Sequence, residues 1–251
     1  MLIFAASAGL TLRWCASMSS MGDMPMPGGW GMSMAWMRTC GQTWLGVAVS
    51  FIAMWASMMV AMMTPSLGPA LWRYRRAQRD MAHTDARVAC AGVAYCCVWI
   101  ALGIVVFPLG AIVSALTMQF SSLACAVPFA TGSVVAIAGA LQLTLWKTRR
   151  LACCRTVATR CCAAASDERR AASAWRDGWR FGVRCCACCA PLTAVLLMLG
   201  VMNVRAMIGV TILITAERLA PSGSRVAKAA GVIVMAAGGV LIARAVILNV
   251  A

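Results

Sequence analysis

The sequence predicts an all-α polytopic membrane protein, a transmembrane helical bundle of about seven spans (six to seven) with a cytoplasmic N-terminus. Two observations carry that expectation. Hydrophobic residues make up 62% of the 251 and charged residues 12%, with a mean hydropathy of +0.83, more apolar surface than a soluble core of this length hides. The basic residues are also bunched: Arg73, Arg75, Arg76, Arg79 and Arg87 form one group, ten more run from Lys147 to Arg184, and Arg218, Arg225 and Lys228 form a third. Lys and Arg resist translocation, so groups on one side of the bilayer mark the cytoplasm.

A span needs roughly 20 mostly apolar residues. Seven stretches approach that length, at about 2–20, 43–63, 88–110, 123–146, 186–202, 206–217 extended by a few residues, and 229–249. The first carries Arg13 and lacks a basic flank, so it reads as a truncated helix or an uncleaved signal-like anchor. Residues 17–42 follow as an outer loop whose Pro and Gly argue for irregular structure. The second span ends or kinks at Pro65, with Pro69 in a turn beyond it. The connection at 111–122 has no charge, as an outer loop allows, and 147–184 is a basic cytoplasmic loop, partly helical at the surface, with Trp175 and Trp179 four residues apart for the interface. Spans five and six read as a tight hairpin turning near Asn203, and Gly238 with Gly239 in the last span reads as close helix packing. This arrangement puts all three basic groups inside and the C-terminus outside, and makes residues 1–251 a single membrane domain. The net charge of +15 therefore reports topology and contact with anionic head groups, not nucleic acid, for which no aromatic-basic recognition module is present.

Sulfur is the chemical theme. The outer loop holds Met18, Met21, Met24, Met26, Met32, Met34 and Met37, and the second span holds Met54, Met58 and Met62 on one helical face with Trp55, Met59 and Met63 on the adjoining stripe. Thioethers bind soft ions without deprotonation, which suits Cu(I) on an oxidising face; as flexible apolar filler, the same residues need no metal. Of the 14 cysteines, Cys153, Cys154, Cys161, Cys162 and the Cys185, Cys186, Cys188, Cys189 group fall on the cytoplasmic side or its membrane boundary, where thiols stay reduced. On a helix Cys185 lies over Cys188 and Cys189, so sulfurs converge from one segment. The run lacks the spacing of a structural zinc site, and His83 is the only histidine, which favours Cu(I) or another thiophilic ion. Small cysteines that simply pack explain the run equally, and Cys15 with Cys40 is a candidate outer disulfide.

Several motifs in fixed order carry a family likeness: MWASMMVAMMTPSLGP, AYCCVW, GALQLTLWK followed by Cys153, Cys154 and Arg155, RFGVRCCACCAPL, GVMNVRAM, and the pair Glu217 and Arg218. Over about residues 30–222 the chain resembles the predicted metal-binding integral membrane proteins of Domain of Unknown Function family 2182. The resemblance implies a bacterial plasma (inner) membrane protein and marks Met58, Met59, Met62, Met63, Cys185, Cys188, Cys189, Met202, Asn203 and Glu217. The chain departs from the family pattern at Ala190 and Pro191, where a tryptophan is common, at Trp146, where a proline is common, and at Phe181, where a histidine is common. Those departures bear on the coordination sphere, not on the topology.

Glu217 is the one acid that ends a span, with Arg218, Arg205 and Arg244 as candidate partners. An intramembrane acid is a functional candidate by default, although an ion pair anchoring a helix end explains it too. No Walker loop, no paired haem-ligand histidines and no hydrolytic triad or H-E-x-x-H occur, which argues against nucleotide, haem and enzymatic chemistry. The expected metal ligands are Met54, Met58, Met59, Met62, Met63, Cys185, Cys188, Cys189, Met202 and Glu217. The expected role is Cu(I) capture by the outer loop, passage along the second span and handover at the thiols, for transport or delivery to a copper enzyme or periplasmic copper carrier, with a homo-oligomer compatible. Two rival classes remain: a structural or assembly subunit whose sulfurs only pack, and a thiol-disulfide redox protein using Cys185-x-x-Cys188 or Cys186-x-x-Cys189.

Overall fold

The computed structural model describes residues 2–19, 24–26, 30–33, 36–38, 41–77, 84–164 and 171–250. Met21, Met34, Cys40, His83 and Glu168 lie outside the described residues, as do the side chains of Met18, Cys161 and Cys162. The described chain forms eight helices and one hairpin: α1 (Leu2–Ser19), β1 (Met24–Met26), β2 (Trp30–Met32), α2 (Trp44–Ala77), α3 (Thr84–Gln119), α4 (Ser121–Leu143), α5 (Leu145–Ala164), α6 (Ala171–Leu199), α7 (Val204–Leu219) and α8 (Gly223–Val250). Five helices, α2, α3, α4, α6 and α8, are long and apolar enough to cross a membrane. The first and sixth expected spans are α1 and α7, helices of 18 and 16 residues.

Several boundaries differ from the expectation, each for a local reason. Helix α3 continues through Pro108 to Gln119, and only Phe120, with extended backbone at φ −121°, separates it from α4. The expected outer connection at 111–122 is therefore mostly helix, because an apolar run without Gly or Asn at its end has nothing to stop it. Helix α2 likewise passes Pro65 and Pro69, with the hydroxyls of Thr64 and Ser66 donating to the carbonyls of Val60 and Met63 around the break. The outer Met-rich segment is not wholly irregular: β1 and β2 pair antiparallel, Met24 opposite Met32 and Met26 opposite Trp30. The expected basic loop contains α5 and the first turns of α6. Cys15 carries a free, buried thiol.

Helix α2 runs antiparallel to α3, since Trp55 sits against Gly103 while Leu71 reaches Gly92. Helix α6 runs parallel to α3, with Gly178 against Ala91 and Gly182 against Val98. The C-terminal end of α2 thus meets the start of α3 and of α6, joined by Arg87 Nη2 donating to Ser173 Oγ at 3.0 Å. An exposed ion pair, Arg75 with Asp85 at 2.9 Å, closes the same end, where surface location makes it worth little. The hairpin covers the opposite end. Trp30 donates its indole N–H to the Ala124 carbonyl at 2.9 Å, Met32 is buried, and Trp36 packs 4.8 Å from Phe51.

Helices α4 and α8 approach most closely, antiparallel through glycines: a Cβ on Gly139 would lie 2.4 Å from the Met235 backbone nitrogen, and one on Gly238 would lie 2.5 Å from that of Ala136. Small residues let backbones meet in this way. Gly238 fulfils the expected packing role, whereas Gly239 faces open space. Apolar side chains such as Leu109, Ile112, Ile137, Ile233 and Ile247 cover the outside.

Gly139→Ala is expected to destabilise the protein by about 1–3 kcal/mol through overpacking against backbone that cannot yield, and Gly239→Ala to be neutral. Unfolding midpoints in detergent check this; equal midpoints for the two variants refute the packing account.

Candidate metal centre

The five methionines of α2 lie on a broad face because residues three and four apart stack along a helix. Met54, Met58, Met59, Met62 and Met63 are each no more than 4% exposed. Between them Trp55 is fully buried and donates its indole N–H to the Trp99 carbonyl at 2.9 Å, which sets the rotation of α2 against α3. Met59, Met63, Tyr95 and Trp99 border a small apolar cavity of about 40 Å³.

The thiols occupy the middle of α6, not its start, because that helix begins at Ala171. Cys185, Cys188 and Cys189 are buried in the same apolar cluster as the five methionines, while Cys186 is only half-buried. Cys189 is hydrogen-bonded to both Cys185 and Cys188, and Cys188 in turn to Cys154 of α5. The hydrogen bond from Cys188, followed by the Arg218 and Lys147 charges, outweighs burial and holds the Cys154 thiol below its usual value.

Charged side chains surround the sulfurs. Arg218 places Nη2 at 2.8 Å from Cys185 Sγ and 3.5 Å from Cys189 Sγ, and Nη1 at 3.3 Å from Ser66 Oγ. The Tyr95 hydroxyl lies 2.9 Å from Cys185 Sγ and its ring 5.3 Å from Phe181. Next to them Lys147 Nζ meets Glu217 Oε2 at 2.8 Å and donates to the Cys188 carbonyl at 2.8 Å, while Gln142 Nε2 donates to Glu217 Oε1 at 2.9 Å.

The partner of Glu217 is thus Lys147, and none of Arg218, Arg205 or Arg244. Consecutive residues on a helix diverge by about 100°, so Glu217 faces α5 while Arg218 turns to the sulfurs; Arg205 and Arg244 are exposed. Met202 is not brought to the thiols. It lies half-buried in the turn between α6 and α7, where Gly200 takes φ +101°, beyond Leu199 and hence about 15 Å along α6 from Cys189. Asn203 caps α7, its Oδ1 accepting from Ala206 N at 3.2 Å. Sequence reasoning missed Tyr95, Gln142, Lys147 and Cys154 as neighbours of the thiols; the first three stand within AYCCVW and GALQLTLWK, and a lysine assigned to a loop gave no sign of full burial.

Among the described residues no group of three or more His, Cys, Asp or Glu side chains is placed to hold a metal ion. The thiols form a hydrogen-bonded row, not a closed tetrahedral cage. The donor set of thiols and thioethers in an apolar core excludes hard-ion chemistry of the calcium or magnesium kind and matches the preference of a soft ion.

Residues 52–241 match the profile of PpoB2, a copper chaperone family. The chain belongs to the PpoB2 copper chaperone family. The matched span holds the α2 methionines, the thiols, Lys147, Glu217 and Arg218, and leaves out α1 and the hairpin. No curated protein and no solved structure matches the chain. Membership gives the chain a copper-related role.

Lys147 and Glu217 are 0% and 2% exposed, so removing one leaves a buried charge unpaired. Glu217→Gln is expected to cost about 3–5 kcal/mol, and adding Lys147→Met to recover most of it. Denaturant unfolding of the four proteins of this cycle in micelles is the check; strictly additive losses count against the pair as described.

Proposed function

We propose that this chain is a membrane-embedded Cu(I) chaperone that takes copper at its hairpin end, passes it along the α2 thioethers and holds it at Cys185 and Cys189 for delivery. The observation that carries this reading is the position of Arg218. Its guanidinium, which does not deprotonate in proteins, points at Cys185 and Cys189, and its hydrogen bonds among the described residues run to those thiols and to Ser66. Lys147 and Glu217 cancel one another. A Cu(I) ion held by two thiolates carries net charge −1, which Arg218 neutralises. The same two sulfurs around a divalent ion would leave a buried positive charge. Soft donors and charge balance therefore agree on Cu(I).

The route is supported by the order of the sulfurs. Met54, Met58 and Met62 rise about 6 Å apiece along α2 from the hairpin end, where Met24, Met26 and Met32 lie, toward Ser66 and the thiols. Thioethers bind weakly enough to release the ion, and methionine is adaptable enough to follow it.

Membrane insertion in the bacterial plasma membrane is part of the reading. The five membrane-length helices and their outward apolar residues support it. So does one end of the bundle, where exposed Trp72, Trp146, Trp175 and Trp179 accompany basic side chains, Arg76 lying 3.7 Å from the Trp72 ring centre and Arg150 5.4 Å from that of Trp146. Aromatic and basic residues together mark a cytoplasmic interface. We place that end inside, the hairpin outside, and α1 and α7 as the short first and sixth crossings, which puts the N-terminus in the cytoplasm. The recipient is a copper enzyme or a copper carrier, and self-association fits the exposed helix faces.

Anaerobic loading of the detergent-purified protein is expected to give about one Cu(I) per chain. Cys185→Ala and Cys189→Ala should abolish uptake, and Met58→Ala and Met62→Ala should slow it. Arg218→Met should weaken affinity by about tenfold, the worth of one charge-assisted hydrogen bond, and Arg205→Met should not. A folded wild-type protein with no bound copper ends the proposal.

A further inference from the structure

A second cavity lies behind the thiols, at the basic end of the bundle, and the route above does not use it. It measures about 140 Å³, and its lining includes Ser66, Ala70, Arg73, Cys154, Phe181 and Arg218, with no carboxylate among the described lining residues. A void of that order admits a molecule the size of a benzene ring, so it accepts a small molecule and not a folded domain. Arg218 is 9% exposed, and its Nε has no hydrogen-bond partner among the described residues. A buried polar N–H without a partner is costly, and its presence in a cavity wall marks a place for an acceptor. Cys154 is 5% exposed, lines the same cavity, and ends the row of thiols that begins at Cys185.

The buried Arg218 guanidinium with its unfilled N–H, the exposed guanidinium of Arg73 and the Cys154 thiol in one small cavity suit a ligand that is anionic and bears sulfur. We propose that this cavity is the exit port of the copper route, entered by a small carboxylate-bearing thiol that removes Cu(I) through Cys154. The proposal rests on the copper reading given above. Its carboxylate would sit on Arg218 and Arg73, which places its sulfur next to Cys154. Transfer is then ligand exchange: a bond forms from the incoming sulfur to Cu(I), the bond from copper to a protein sulfur breaks, and the proton of the incoming thiol passes to the sulfur set free. Copper stays Cu(I), and no oxidant or reductant is consumed. Cys154 serves as the intermediate sulfur because it touches both the inner thiols and the cavity. A cysteine on a folded partner protein would not reach so buried a thiol.

Two measurements on the full-length protein separate this port from the copper reading. In the first, without copper, Cys154 is labelled with a sulfonate-bearing or a trimethylammonium-bearing methanethiosulfonate and followed by mass spectrometry of its peptide. The anionic reagent is expected to react about tenfold faster, by electrostatic focusing in the cavity, the ratio to fall in Arg73→Gln and to persist in Arg205→Gln. Equal or reversed rates overturn the port whether or not copper binds. In the second, protein loaded with Cu(I) is mixed with 3-mercaptopropionate or with cysteamine, a thiol of similar size that has an amine and no carboxylate, then desalted and assayed for remaining copper. Faster loss to 3-mercaptopropionate, slowed at least several-fold in Cys154→Ser, supports the port. Equal loss to the two thiols, loss unaffected by Cys154→Ser, or faster transfer to a folded cysteine-bearing copper protein than to 3-mercaptopropionate overturns it. Failure to load copper at all defeats the preceding reading, and this one with it, while the labelling ratio still reports what the cavity admits.

Discussion

Three charged side chains buried in an apolar bundle govern how the helices meet. Lys147, Glu217 and Arg218 are each at most 9% exposed, and a buried charge is tolerated only when its partners are in place. Lys147 comes from α5, Glu217 and Arg218 from α7, the Cys188 carbonyl and two thiols from α6, Gln142 from α4, Ser66 from α2 and Tyr95 from α3. Six helices are therefore pinned at one point. Such a group is a weak source of net stability, since desolvation offsets much of the attraction. Its effect is on register: sliding any of these helices by one residue would turn a charge or its partner away.

Apolar contacts do a different job. The glycine-lined contact of α4 with α8 brings two backbones together with no polar group between them, and it fixes the helix that carries Gln142. Trp55 fills the notch over Gly103 and anchors its N–H on Trp99, and the methionines of α2 are buried in the same apolar cluster as the thiols. Rigid aromatic and glycine contacts thus hold the frame, and the flexible thioethers are left to the inside of it. That division suits the proposed route, in which an ion is held and then released.

Charge also separates the two ends of the molecule. The hairpin end holds Met24, Met26 and Met32 together with the exposed Arg38 and Arg205, whereas Arg73, Arg75, Arg76 and Arg87 gather at the second end, where Arg73 and Arg218 line the cavity containing Cys154. An anionic ligand approaching the second end is drawn inward.

That the chain is helical and strongly apolar, that its basic groups share an end, and that Met54, Met58, Met59, Met62 and Met63 share a face was legible from the residues alone, because composition and a period of 3.6 are local properties. The sequence also supplied Cys185, Cys188 and Cys189 as one helical cluster. Which side chains stand beside them follows from how the helices pack. Lys147 lies seventy residues from Glu217 in the chain and reads as a loop cation, yet it is fully buried against that acid; Arg218 reads as its neighbour's partner, yet faces the sulfurs. Met202, about 15 Å beyond Cys189 along α6, falls away from the site as well. Pairings across helices depend on rotation and crossing of elements far apart in sequence, and periodicity within one helix carries no information about the face its neighbours present.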